Sequence, residues 1–165
     1  MLAIFPILFP VVLMVIHLLI KKDKVAAISG IVGSMLLLSG SIYLFTKVFR
    51  EGMLSTVVGG WDAPFGISIV IDPMSALFLL VSSVIVVAIS VFSINYREKG
   101  KYQSKYYFFF FTLILGINGA FTTGDIFNMY VWFEVMLLSS FVLINLGFSR
   151  EQMRSGIKYL SLIHI

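Results

Sequence analysis

Glu134 is the residue best placed to do chemistry in this chain. It lies inside the apolar stretch from Gly124 to Asn145, GDIFNMYVWFEVMLLSSFVLIN, which is long enough to cross a bilayer. Asp125 stands at its start, where an aspartate can cap a helix N-terminus. Glu134 follows nine residues later, about 13 Å along a helix axis and so near the middle of a hydrocarbon core roughly 30 Å thick. A charge at that depth costs about 2.5–3.5 kcal/mol on insertion scales. A carboxyl kept there needs a partner, a water-filled cavity or a task. Desolvation favours the neutral acid and a nearby cation favours the carboxylate, so a carboxyl between the two influences can take up and release protons. The other reading is a static glutamate that holds helices together through a hydrogen bond or ion pair.

Residues four and eleven positions apart share a helix face. Tyr130 and Asn145 therefore align with Glu134, with Leu138 and Phe141 between them. Asn118 lies in the preceding apolar run, flanked by Gly116 and Gly119. An amide in lipid either bonds a neighbouring helix or lines a water or proton pathway. These three are the candidates to surround Glu134. His17, near the end of the first apolar run, is either an interfacial histidine facing headgroups or a proton relay.

The elements that must position these residues are membrane spans. The chain has 165 residues, 59% hydrophobic and 12% charged, with a mean hydropathy of +1.03. Apolar runs of about 20 residues recur, which predicts an all-α, polytopic transmembrane protein. Five spans are expected, at about 2–20, 25–45, 73–94, 105–121 and 126–147, within one transmembrane domain covering 1–165. The first has no basic stretch before it and no small-residue cleavage site after it, so it reads as a span rather than a cleaved signal peptide. Pro6 and Pro10 fall in its first turns. In the second, Gly30, Gly33, Ser34, Ser39, Gly40 and Ser41 are small residues suited to close helix packing.

Between the second and third spans, Gly59-Gly60 signals a turn and Trp61 suits the membrane interface. After Pro64 the run Phe65 to Ile71 partly alternates, which fits a short hairpin on the membrane surface. Asp72 then caps the third span, with Pro73 as its first helical residue. The aromatic run Tyr106 to Phe111 fits an interfacial belt at the start of the fourth span. Lys and Arg in alternate connections split ten against two, which predicts the N-terminus outside and the segment after the fifth span, including Lys158, in the cytoplasm.

There is no cysteine, so thiol catalysis, thiolate metal sites and disulfides are excluded. The net charge of +4 sits in connections between spans and reads as topology rather than as nucleic-acid binding. No nucleophile–base pair, metal-ligand cluster or phosphate-binding glycine motif lies in the spans, so no metal, cofactor or hydrolase chemistry is expected.

The run Asn118 to Phe141, NGAFTTGDIFNMYVWFEVMLLSSF, closely resembles the D-type component of the Mrp multisubunit Na⁺/H⁺ antiporters, which is related to the antiporter-like proton-pumping subunits of respiratory complex I. Ile71 to Leu77, IDPMSAL, and Gly156 to Tyr159, GIKY, resemble the family at corresponding places. The resemblance runs from about Trp61 to Tyr159. It implies a secondary transporter subunit of about fourteen spans, of which this chain is an N-terminal fragment. It further implies a bacterial or archaeal cell membrane, other antiporter subunits as partners, and exchange of protons for a monovalent cation, expected to be Na⁺. Glu134 would then be the fifth-span glutamate that works with a lysine in a later span. Two alternatives stay open: a proton-translocating subunit of a complex I-like or hydrogenase-like respiratory complex, and a non-transporting five-span scaffold or remnant.

Overall fold

Apolar runs bounded by caps and turns give six α-helices and one two-stranded sheet among the described residues. The helices are α1 (Phe5–Leu19), α2 (Asp23–Glu51), α3 (Pro73–Tyr96), α4 (Gln103–Thr122), α5 (Ile126–Asn145) and α6 (Arg150–Ile163); the strands are β1 (Leu54–Val58) and β2 (Ile67–Ile71). This is a computed structural model, and it describes residues 2–60, 66–96, 103–146 and 150–163. Trp61, Pro64, Phe65 and the basic residues Arg97, Lys99 and Lys101 lie outside the described residues. Four segments are long and apolar enough to cross a membrane: Leu2–Leu19, Asp23–Glu51, Pro73–Ser93 and Ile126–Asn145. The fold is that of a helical membrane protein. Large side chains such as Leu18, Ile28, Phe49 and Phe92 are more than half exposed, as lipid-facing residues are.

α2 runs six residues beyond the expected end at 45. Hydropathy marks the stretch that suits lipid, whereas the helix stops at Gly52, whose φ of +90° breaks it. Lys47 and Glu51 pair one turn apart on this last stretch, at 3.4 Å. The segment after α5, read from sequence as a loop, is the helix α6 with Lys158 exposed on it. Arg150, Arg154 and Lys158 recur every fourth residue, as do Met153 and Ile157, and that amphipathic period is the signal for the helix.

The predicted hairpin has β2 paired antiparallel to β1, Leu54 opposite Ile71 and Val58 opposite Ile67. Gly59 and Gly60, at φ +91° and +71°, turn the chain after β1. The other edge of β2 is used as well. Ile69 bridges Thr123, and Gly124 N donates to Ser68 O at 2.8 Å. The hairpin therefore pins the α4–α5 turn. Its buried Ile69 and Ile71 join Ala3, Leu44, Val48, Ala76 and Leu79 in one apolar cluster. The second cluster (Leu13, Ala26, Leu37, Val86, Tyr107, Phe110, Phe111 and Ile114) fills the middle and the opposite end. The expected aromatic belt is corrected here. Tyr107, Phe110 and Phe111, spaced i, i+3 and i+4, form one face of α4 that is buried in this core.

α4 packs most extensively against α5 and α1, and α2 against α3. The α1–α4 contact has a specific polar cause. Pro10 sits inside α1 and has no N–H, so the Pro6 carbonyl four residues earlier loses its helical donor. In lipid that carbonyl must find another. Asn118 of α4 supplies it, with Nδ2 donating to Pro6 O at 2.9 Å.

Two outcomes follow from these local bonds. Asn118→Leu strands the Pro6 carbonyl and is expected to cost about 1–3 kcal/mol, read as a lower unfolding midpoint in detergent. Adding Pro10→Ala, which restores the helical donor, should recover part of the loss; no recovery would show that the Asn118 bond matters for another reason. At the head of α3, Asp72 Oδ1 accepts from Ser75 N at 2.6 Å, and this bond holds the Asp72 carboxyl below its usual range. A lowered folded value means the cap contributes fully above the ordinary carboxylate pKa of about 3.9 and is lost as pH falls through the lower folded value. Asp72→Ala should remove about 1 kcal/mol at neutral pH and nothing at pH low enough to protonate the cap, which paired melts at the two pH values would check.

Candidate functional site

α5 carries the candidate site, and its start is fixed from both sides. Asp125 is the residue before the helix, and its Oδ1 accepts from Phe127 N at 2.9 Å. Thr123 Oγ1 accepts from Asn128 Nδ2 at 2.9 Å, and Gly124 is hydrogen-bonded to β2. The helix therefore leaves the hairpin end of the bundle in a set direction. Glu134 comes about 12 Å further along it.

The faces of α5 differ sharply. Trp132 and Met136, one turn apart, meet α4, where Gly119 lies against the Trp132 indole and Gly116 against Met136 and the Trp132 carbonyl. A side chain at either glycine would collide with them, so these glycines set how closely α4 and α5 approach. Glu134 is two residues from both Trp132 and Met136, a turn of about 200°, and points away from α4. It is half-buried. Its stripe includes Tyr130 and Leu138, about 60% exposed, together with the exposed Phe127 and Val131. Tyr130, one turn before Glu134, interacts with its carboxyl. No cation among the described residues forms an ion pair with Glu134.

The three residues expected around Glu134 thus separate. Tyr130 is beside it. Asn118 is buried on α4 and its amide is taken by Pro6, on the far side of the α4–α5 contact. Asn145 is on the Glu134 stripe but about 16 Å further along. There its Nδ2 donates to Phe141 O at 2.8 Å and its amide packs against Gly156 of α6. Three buried polar atoms have no protein partner among the described residues: Asn118 Oδ1, Trp132 Nε1 and Asn145 Oδ1. All three lie on α4 or α5, and buried groups of this kind are met by ordered water or by further chain.

Of the two sequence expectations for His17, the structure departs from the headgroup contact. His17 is fully buried among α1, α2 and α4, with the Tyr107 and Phe111 rings tilted against it. Its apolar neighbours one turn away on α1 were the available signal, but the partners across the bundle come from residues 26–29 and 107–111, which no local pattern links to it.

Comparison with known proteins gives a consistent picture. No family model matches the chain. The chain is 38% identical over 164 residues to the Na⁺/H⁺ antiporter D subunit of Alkalihalophilus pseudofirmus, covering 96% of this chain and 32% of that protein. It is 34% identical over 159 residues to the Na⁺/H⁺ antiporter D subunit of Bacillus subtilis, again 96% and 32%. It is 38% identical over 162 residues to a putative antiporter subunit mnhD2 of Staphylococcus epidermidis, 98% and 32%. Among solved structures, the fold matches the membrane-bound sulfane sulfur reductase, an archaeal respiratory membrane complex, with a TM-score of 0.83 at 27% identity, covering 97% of this chain and 33% of that one. It matches the Mrp complex from Dietzia sp. DQ12-45-1b with a TM-score of 0.73 at 27% identity, covering 87% and 26%. The chain spans about a third of the length of the curated relatives it matches. Over nearly its whole length, in sequence and in fold, the chain is similar to about a third of the D subunit of the Na⁺/H⁺ antiporters.

Proposed function

We propose that this chain forms part of a subunit of a multisubunit monovalent cation/proton antiporter in the cell membrane, with Glu134 on the proton pathway. The observation that carries the reading is Glu134 itself. It is a carboxyl midway along α5, next to the Tyr130 hydroxyl, on a face turned away from α4. The relatives' names supply the chemistry: antiporters that handle Na⁺ and H⁺. Protons and Na⁺ are the substrates in this reading, and the partners are other antiporter subunits. The chain crosses the bilayer five times from an N-terminus outside, with α4 crossing in addition to the four apolar segments. In support, the 3-10 turn at Leu2–Ile4 lies against β1 and β2, at the opposite end from the basic turn Lys21–Lys24.

A second reading is a proton-translocating subunit of a respiratory complex, and the TM-score of 0.83 to an archaeal respiratory membrane complex favours it. Glu134 serves the same way in both. Genes encoding redox subunits beside this one would select the respiratory reading; genes for small antiporter subunits would select the antiporter.

Glu134→Gln, placed in the complete antiporter complex, should reduce Na⁺-dependent proton movement to background in everted membrane vesicles while the complex still assembles. Normal exchange by that variant would sink the role of Glu134. Because its Glu134 face is uncovered, the 165-residue chain alone should show no exchange in sealed vesicles, and transport by it would overturn the need for further segments.

A further inference from the structure

We infer that the α1–α2 turn is a proton-binding site, in which a doubly protonated His17 ties the end of α1 to the start of α2. The inference stands on the main-chain atoms around the ring and does not depend on Glu134. His17 Nδ1 is 2.8 Å from Leu13 O, and Nε2 is 3.2 Å from Ala26 O. Carbonyl oxygens accept and never donate, so each ring nitrogen faces an acceptor. A neutral imidazole has one N–H and one bare nitrogen. With Nε2 protonated, the bare Nδ1 points at the Leu13 carbonyl; with Nδ1 protonated, the bare Nε2 points at the Ala26 carbonyl unless the Ser29 hydroxyl, 3.0 Å away, turns to donate to it. The imidazolium gives each carbonyl its own N–H. Ser29 completes the set: its hydroxyl is 3.1 Å from Ala26 O, to which it donates, and 3.0 Å from Nε2.

The surroundings also suit a cation. His17 is in the last turn of α1, where the helix dipole favours positive charge. Tyr107 and Phe111 of α4 present their rings at centroid distances of 5.3 and 5.2 Å, within range of cation–π attraction. Full burial opposes the charge, and the two carbonyls answer it. The titratable groups on the surrounding elements are Tyr107 and Lys105 of α4, Asp23 and Lys24 of α2, and Lys21 and Lys22 in the turn; Tyr107 is in ring contact, and the half-buried Asp23 is the acid among them. The ligand is a proton, and its effect is to cross-link two helices through their main chains.

The test is solid-state NMR of the full chain in lipid bilayers, with nitrogen-15-labelled histidine and His164→Gln so that a single histidine reports. When the pH is lowered while the protein stays folded, both ring nitrogens should become protonated reversibly, with through-space contacts to the Leu13 and Ala26 carbonyl carbons retained. Ser29→Ala should leave that doubly protonated spectrum in place. A ring that keeps one bare nitrogen at every pH at which the protein stays folded, bonded to the Ser29 hydroxyl, overturns the proposal. So does a second proton that arrives only as the Leu13 and Ala26 contacts disappear.

Discussion

A backbone carbonyl that lipid cannot solvate organises much of this protein. Pro10 deprives the Pro6 carbonyl of its helical donor, and the bilayer offers no water in exchange. The Asn118 amide fills the gap, which docks α4 on α1. The other side of α4 is cut back to Gly116 and Gly119, so α5 lies close against it through Trp132 and Met136. Adding the β2 bonds to Thr123 and Gly124 fixes the start of α5. The position of Glu134 therefore rests on a chain of contacts that begins with a missing N–H in the first helix.

The two ends of the bundle are built differently. At the hairpin end, strand pairing and aliphatic packing around Ile69 and Ile71 hold the α2–α3 and α4–α5 connections together. At the basic end, an aromatic core meets a buried histidine whose partners are main-chain carbonyls. Between them, Ser34 of α2 and Ser90 of α3 share a hydrogen bond of 2.6 Å, and Ser93 of α3 meets the Tyr107 hydroxyl of α4 at 2.8 Å. Small hydroxyls of this sort join helices with little loss of packing. Ser39, one of the small residues expected at a helix contact, faces outward instead and returns its hydroxyl to Leu36 O.

Polar residues in the apolar runs thus fall into groups that composition alone does not separate. Asn118 and the interior serines have backbone or hydroxyl partners within the bundle. Glu134 has a neighbouring tyrosine and an open face. A carboxyl deep in an apolar span is costly, and the described residues do not neutralise it with a cation.

The sequence by itself determined what depends on neighbours along the chain. Hydropathy set the membrane class. Asp72 and Asp125 marked helix starts, Gly59-Gly60 marked a turn, and the fourfold spacing put Tyr130 beside Glu134, because hydrogen bonds and side-chain faces within one helix repeat at fixed short intervals. The tertiary structure decided what depends on residues far apart. It took Asn118 away from Glu134 and gave it to Pro6, 112 positions distant. It buried His17 rather than leaving it at the interface, and it turned Tyr107, Phe110 and Phe111 from a belt into a core. Hydropathy says that a side chain avoids water but not whether it meets lipid or another helix, since both are equally apolar; only the packing of the bundle draws that distinction.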